Sequence, residues 1–166
     1  KEGRDPMRLF HGSSIVVSEP RIGFSRSNLD FGRGFYATSI RTQAERWAKR
    51  KAFLDNSSTA IVSEFELGDL TSLKTLEFKE PDADWVDFVC HCRRGGSQYK
   101  GYDLIIGGVA DDKVYEAVSM YFKGLWDMET TLDALRFYEV NDQYCFVTQK
   151  AIDETLAFVA SHEVRS

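Results

Sequence analysis

The 166-residue chain has only three cysteines, Cys90, Cys92 and Cys145, and an odd, sparse set of this kind cannot form a disulfide framework. It reads instead as free thiols of a reducing cytoplasm. Cys90-His91-Cys92 does not read as a zinc site, because successive residues of a helix point about 100° apart and a zinc site needs wider spacing and a fourth ligand. No metal is expected. Long apolar runs are missing too: the best candidate, Leu104-Ile105-Ile106, is broken by Gly107-Gly108, well short of the ~20 residues a membrane helix needs. Repeats, low-complexity stretches and Gly-rich or Pro-rich linkers are absent. There is no excess of basic residues, with 21 Lys and Arg against 26 Asp and Glu and a net charge of −5. That balance argues against a nucleic-acid partner bound without sequence preference, and no membrane partner is expected.

What remains is ordinary globular usage, 43% apolar and 28% charged. A chain of this length buries roughly 68–70% of its unfolded surface, enough for one core without staples. The polar stretch Lys1-Glu2-Gly3-Arg4-Asp5-Pro6 reads as a remnant ahead of a natural start at Met7, leaving a single domain over 7–160. Strands are predicted over 7–10, 35–37, 61–67, 73–78, 102–106 and 143–148. The first is expected to end at His11-Gly12, and a punctuated polar loop to run over 18–33. Thr38 or Ser39 can cap a helix that buries Ile40, Ala44, Trp47, Ala48 and Ala52. Further helices are predicted over 82–93, over 111–123 with Val114, Val118 and Phe122 inward, over 129–135 and over 150–159. Interleaved helices and brief strands of hairpin type make the class α+β.

Three segments can carry chemistry. His11, placed at a strand end, can project its imidazole, and Gly12 can offer its N–H and C=O as a pair to a planar carboxamide. A plain His-Gly turn is the alternative. In Asp30-Phe31-Gly32-Arg33-Gly34-Phe35-Tyr36-Ala37-Thr38, two glycines precede an aromatic strand, and Tyr36 offers a stacking face. Trp47 stands eleven residues on and can supply a second face; as a core residue of its helix it would be silent. In Asn141-Asp142-Gln143-Tyr144, Asp142 or Gln143 can bond a ligand hydroxyl. Asp103, Asp111 and Asp112 read as helix-capping residues, and His162 as solvated.

In this order the segments resemble the ADP-ribosyltransferase superfamily, in its His-Tyr-Glu branch, which includes diphtheria toxin and the poly-ADP-ribose polymerases. The likeness spans about 7–158 and is greatest to a bacterial family of unknown function, with 28–36, 102–112 and Asp142-Gln143 as the matching pieces. It implies an ADP-ribosyltransferase-like fold with short strands in a split β core and flanking helices. It implies NAD⁺ as substrate and an unidentified macromolecular or small-molecule acceptor. His11 would bond the adenosine ribose and Gly12, beside Ser13, the nicotinamide carboxamide. Tyr36 and Trp47 would stack on the ring. Arg26 and Arg33, on the loop before Tyr36, can meet the pyrophosphate or stand as plain exposed loop arginines.

Gln143 falls where the family places its catalytic glutamate. Glutamine keeps the hydrogen bond to the ribose and loses the charge opposing the oxocarbenium-like species, a loss typically worth ~10²–10³ in rate. The resemblance thus implies a mono-ADP-ribosyltransferase with His11, Tyr36 and Gln143 at its centre. A degenerate module that holds NAD⁺ or ADP-ribose without turnover, or an NAD⁺ glycohydrolase, are the alternatives.

Overall fold

A computed structural model describes residues 7–24, 29–138 and 141–165. Arg26, Asn28 and the six residues before Met7 lie outside the described residues. The described chain is α+β: two sheets and five α-helices. One sheet has the order β1 (Met7–Ser13), β3 (Ile61–Leu67), β7 (Leu156–Glu163), antiparallel throughout. The other runs β2 (Phe35–Ala37), β6 (Asp142–Phe146), β5 (Leu104–Gly108), β4 (Thr75–Glu77), with only β4 and β5 parallel.

Strand alternation decides what each sheet face covers. Leu9 and Phe65 from the first sheet meet Phe35, Leu104, Tyr144 and Phe146 from the second in one shared core. The opposite face of the second sheet carries Cys145 and Ile105 against α2 (Ala83–Arg93) and α3 (Asp112–Phe122), through Trp85, Val89, Val114 and Val118. On the first sheet, α1 (Arg41–Leu54) lays Ala44, Ala48 and Ala52 against Val62 and Phe10. Alanine on this seam lets the helix come very close. A Cβ at Gly12 would sit 2.1 Å from the carbonyl oxygen of Ala44 and 2.6 Å from the nitrogen of Ala48. The space that glycine leaves is therefore taken by α1.

Four of the five helices begin on a side-chain cap. Asp82, Asp111, Asp127 and Thr148 accept from Trp85, Val114, Thr130 and Ala151, starting α2, α3, α4 (Met128–Leu135) and α5 (Gln149–Thr155). Gly124, with φ +76°, follows the end of α3. The cap expected for α1 does not form. Its N-cap is Ile40, because the hydroxyls of Thr38 and Ser39 both donate to the Asp142 carboxylate.

Four further expectations are corrected. β1 does not stop at His11-Gly12; pairing with β3 carries it through to Ser13 opposite Ile61. Phe122 is 39% exposed and sits under the guanidinium of Arg94, 4.8 Å away. The last helix ends at Thr155, and β7 follows at once along β3. His162 is not simply solvated, since its Nε2 lies 3.1 Å from Glu64 Oε1. Among the described residues no helix is long and apolar enough to cross a membrane.

The seating of α1 on β1 is directly testable. Gly12→Ala forces its methyl into helix backbone and is expected to cost about 1–3 kcal/mol in urea denaturation. Stability equal to wild type would show that α1 does not pack at that distance.

Candidate active site

The two sheets touch edge to edge through one bridge, in which Phe10 and Thr38 exchange both backbone hydrogen bonds, at 2.8 and 2.9 Å. In an antiparallel ladder the next hydrogen-bonded pair lies two residues along, here Gly12 opposite Tyr36. That rung is not made. The carbonyl oxygen of Tyr36 is taken instead by His11 Nδ1 at 2.6 Å. Because Phe10 faces β2, the N–H and C=O of Gly12 face the same way, away from β3. Among the described residues neither group has a partner. The result is a notch between β1 and β2 with a free donor and acceptor side by side.

His11 holds the notch open from inside the strand rather than from its end. A carbonyl only accepts, so Nδ1 carries the imidazole proton and Nε2 keeps its lone pair. The ring stacks on Phe35, with centroids 4.3 Å apart. Burial outweighs the Tyr36 hydrogen bond and lowers its pKa from 6.5 to about 4. The imidazole is thus a neutral acceptor at neutral pH.

Tyr36 and Cys145 are directly paired, so Tyr36 and Gln143 project from the same face of the sheet, one strand and two residues apart. The Tyr36 hydroxyl donates to the Gly32 carbonyl at 2.6 Å and accepts from the Phe31 amide at 3.0 Å. Burial, with Cys145 and Asp30 nearby, pushes its pKa well above 10, so it stays a donor. These bonds fold the glycine-containing loop back onto the sheet.

Gln143 is 3% exposed, on β6. Its Nε2 donates to Asp30 Oδ2 and to the Gly108 carbonyl, each at 3.0 Å. Both amide protons are therefore used, and Oε1 is the atom left for a ligand. Asp30 is also buried and accepts from the Ala110 amide at 2.8 Å. Its other oxygen is gripped by Arg93 Nη2 and Nε at 2.6 and 2.7 Å. Arg93 in turn lies 4.0 Å from the centre of the Tyr115 ring.

The remaining expected residues are placed as follows. Ser13 is buried at the end of β1. Trp47 is half-buried on α1, with its Cβ beside Gly12, but it makes no ring contact with Tyr36 among the described residues. Arg33 is exposed and carries no ion pair among them. Asp142 is committed to Thr38 and Ser39. Asp111 caps α3, while Asp103 ties Lys74 to Thr148. All three cysteines are free and buried. Burial raises the Cys90 and Cys92 thiols to about 11 and 12, and that of Cys145 further. No group of three or more possible ligands that could hold a metal occurs among the described residues.

An open groove of about 690 Å³ lies elsewhere, lined by Leu76, Phe78, Asp84, Phe88 and His91 among others, and includes none of these residues. The notch is the stronger candidate for chemistry, because unpartnered backbone groups and a neutral imidazole acceptor converge there. Neither Asp30 nor Arg93 has a role in the reading of the sequence. Asp30 carries a signal, a carboxylate just before the glycine pair; Arg93, 63 residues along the chain, carries none.

Residues 7–158 match a family described as a protein of unknown function (DUF3990). No curated protein and no solved structure matches the chain significantly.

The depressed pKa of His11 sets a pH dependence. The unfolded chain takes up a proton near 6.5 and the folded one only near 4, so unfolding is proton-coupled between these values. Stability contributed by neutral His11 is present above about pH 6.5 and lost as pH falls towards 4. Imidazole ¹⁵N spectra at pH 5.5 are expected to show His11 still neutral and protonated on Nδ1; a charged ring at that pH would contradict the site.

Proposed function

The chain belongs to the DUF3990 family, which is described only as of unknown function; from the geometry of the notch we propose that it is a mono-ADP-ribosyltransferase that uses NAD⁺ as its substrate. The observation that carries this reading is the notch: a backbone donor and acceptor on Gly12, beside the His11–Tyr36 hydrogen bond and past the single Phe10–Thr38 bridge. A planar carboxamide matches that pair, its oxygen accepting from the Gly12 N–H and its amide donating to the Gly12 C=O. The nicotinamide ring then lies against Tyr36, with Trp47 closing the other side. His11 Nε2 accepts from a ribose hydroxyl, and Gln143 Oε1 accepts from a hydroxyl of the other ribose. Arg33 is free to meet the pyrophosphate. Two sheets joined at one bridge and split beyond it support an ADP-ribosyltransferase-like fold. Free buried thiols and a nicotinamide substrate fit a cytoplasmic setting.

In the reaction the bond between ribose C1′ and the nicotinamide nitrogen breaks, and its electron pair leaves with neutral nicotinamide. The acceptor's nucleophile attacks C1′ and loses a proton. Stacking against Tyr36 holds the leaving ring, while Gln143 orients the ribose. The neutral amide at 143 opposes no developing positive charge, so turnover is slow by the ~10²–10³ that one such stabiliser supplies. That feature also favours a second reading, a module that binds NAD⁺ or ADP-ribose without cleaving it. Water in place of the acceptor would make the protein an NAD⁺ glycohydrolase.

Nicotinamide release from NAD⁺, measured with and without cell lysate, separates the three. Release that requires lysate supports the transferase, release without it the glycohydrolase, and thermal stabilisation by NAD⁺ without release the binding module. Absence of both binding and release overturns the NAD⁺ reading.

The stacking faces can be tested singly. Trp47→Ala and Tyr36→Ala are each expected to weaken NAD⁺ binding in calorimetry by at least about fivefold, equivalent to about 1 kcal/mol. Tyr36→Phe, which keeps the ring and frees the loop, is expected to bind more tightly than Tyr36→Ala. Unchanged affinity in both alanine variants would remove the ring from this position.

A further inference from the structure

We propose that Asp30 is a positioning residue for Gln143, fixing its side-chain amide so that the site presents a hydrogen-bond acceptor and no donor at that point. The proposal rests on the NAD⁺ reading for its ligand but on geometry for its mechanism. A free glutamine can turn either Nε2 or Oε1 towards a ligand. Here Asp30 Oδ2 and the Gly108 carbonyl, each 3.0 Å from Nε2, occupy both of its protons. Rotating the amide would set Oε1 against two acceptors, one of them a carboxylate. Asp30 cannot yield, because Arg93 holds its other oxygen, Oδ1, and the Ala110 amide donates to the same Oδ2.

The same network explains why glutamine, not glutamate, stands at 143. A carboxylate there would put an oxygen about 3 Å from Asp30 Oδ2, and two carboxylates so close cannot both ionise. A glutamate therefore needs a proton, and with one proton it satisfies only one of the two acceptors. The charge that an ADP-ribosyltransferase glutamate would bring is already in the molecule, one residue deeper, on Asp30 and paired with Arg93. The ligand group selected is accordingly a hydroxyl that can donate, as on a ribose. A 2′-deoxy or 3′-deoxy ribose lacks one such hydroxyl.

Thermal unfolding and ligand binding test the two layers separately. Gln143→Glu is expected to lower Tm by about 5 °C or more at pH 8. Its folded carboxyl pKa should be raised above the unfolded ~4.3, so the stabilising proton is bound at low pH and lost as pH rises. The deficit at pH 5 should then be about half that at pH 8 or less. Asp30→Asn/Gln143→Glu, which restores a donor–acceptor pair, should lose less Tm than the two single changes together.

In the wild type, Gln143 side-chain amide protons should exchange at least about tenfold more slowly than those of exposed Gln98. ADP-ribose should bind Asp30→Asn at least about tenfold more weakly than wild type, with partial recovery in the double variant. A pH-independent deficit in Gln143→Glu, additive with Asp30→Asn, overturns the assignment of Asp30, as does rapid exchange of the wild-type amide. If the coupling and slow exchange hold but neither ADP-ribose nor NAD⁺ shifts Tm in the wild type, Asp30 still positions Gln143 and the NAD⁺ reading falls.

Discussion

The two sheets meet at the Phe10–Thr38 bridge, and beside it one hydrogen bond, from His11 Nδ1 to the Tyr36 carbonyl, joins β1 to β2. It stands at the place where a continuing ladder would put a Gly12–Tyr36 rung. An imidazole in place of a peptide amide costs one backbone pair and leaves Gly12 with an open donor and acceptor. The cost is smaller because Gly12 is only half-buried, whereas in the core an unpaired peptide group would cost about 1–3 kcal/mol. On its other side Gly12 is packed against α1 so tightly that no side chain fits. Glycine at 12 is thus fixed by helix packing, and histidine at 11 by the split.

The second constraint is polar and sits under β6. Asp30, Arg93, Gln143, Gly108 and Ala110 form a closed network reaching from the loop before β2 to α2 and the end of β5. A buried ion pair contributes little net stability when intact, yet breaking one costs about 3–5 kcal/mol. Its effect here is specificity of position: the loop carrying Phe31 and Gly32 cannot shift without stranding Asp30. Tyr36, whose hydroxyl is bonded to that loop, is aligned by the same network. The Tyr36 ring and the Gln143 amide therefore share one anchor.

Much of this was legible in the residues, and the failures have physical causes. β2 and β3 fall on their predicted bounds, and α2 and α3 within one residue, because alternation, helical spacing and an aspartate cap all agree there. The predicted β1 stops short because Gly12 reads locally as a breaker, whereas seven paired residues on β3 override it. The start of β7 reads as helix because Leu156-Ala157-Phe158-Val159 has no alternation of polarity; the strand is made by β3, which it follows. His11, Gly12, Tyr36 and Gln143 were singled out from their order along the chain. What the order could not show is that His11 bonds backbone, or that the Gln143 amide is already occupied, because those facts depend on partners 25 and 113 residues away.

Charge gives the last constraint on what the notch can do. His11 is neutral down to about pH 4, the Tyr36 phenol stays protonated, Gln143 carries no charge, and Asp30 is matched by Arg93. These four side chains thus present hydrogen bonds and a ring with no net charge, and on the NAD⁺ reading nothing among them attracts the cationic nicotinamide by charge. Recognition must come from geometry, through the spacing of the Gly12 pair and the acceptors on either side. Such a site discriminates by which hydroxyls and amides a ligand offers, since a missing partner leaves a polar group unpaired. It gains little by stabilising separated charge. On the NAD⁺ reading proposed above, a site built this way selects and orients the nucleotide and lends the bond cleavage itself little electrostatic help.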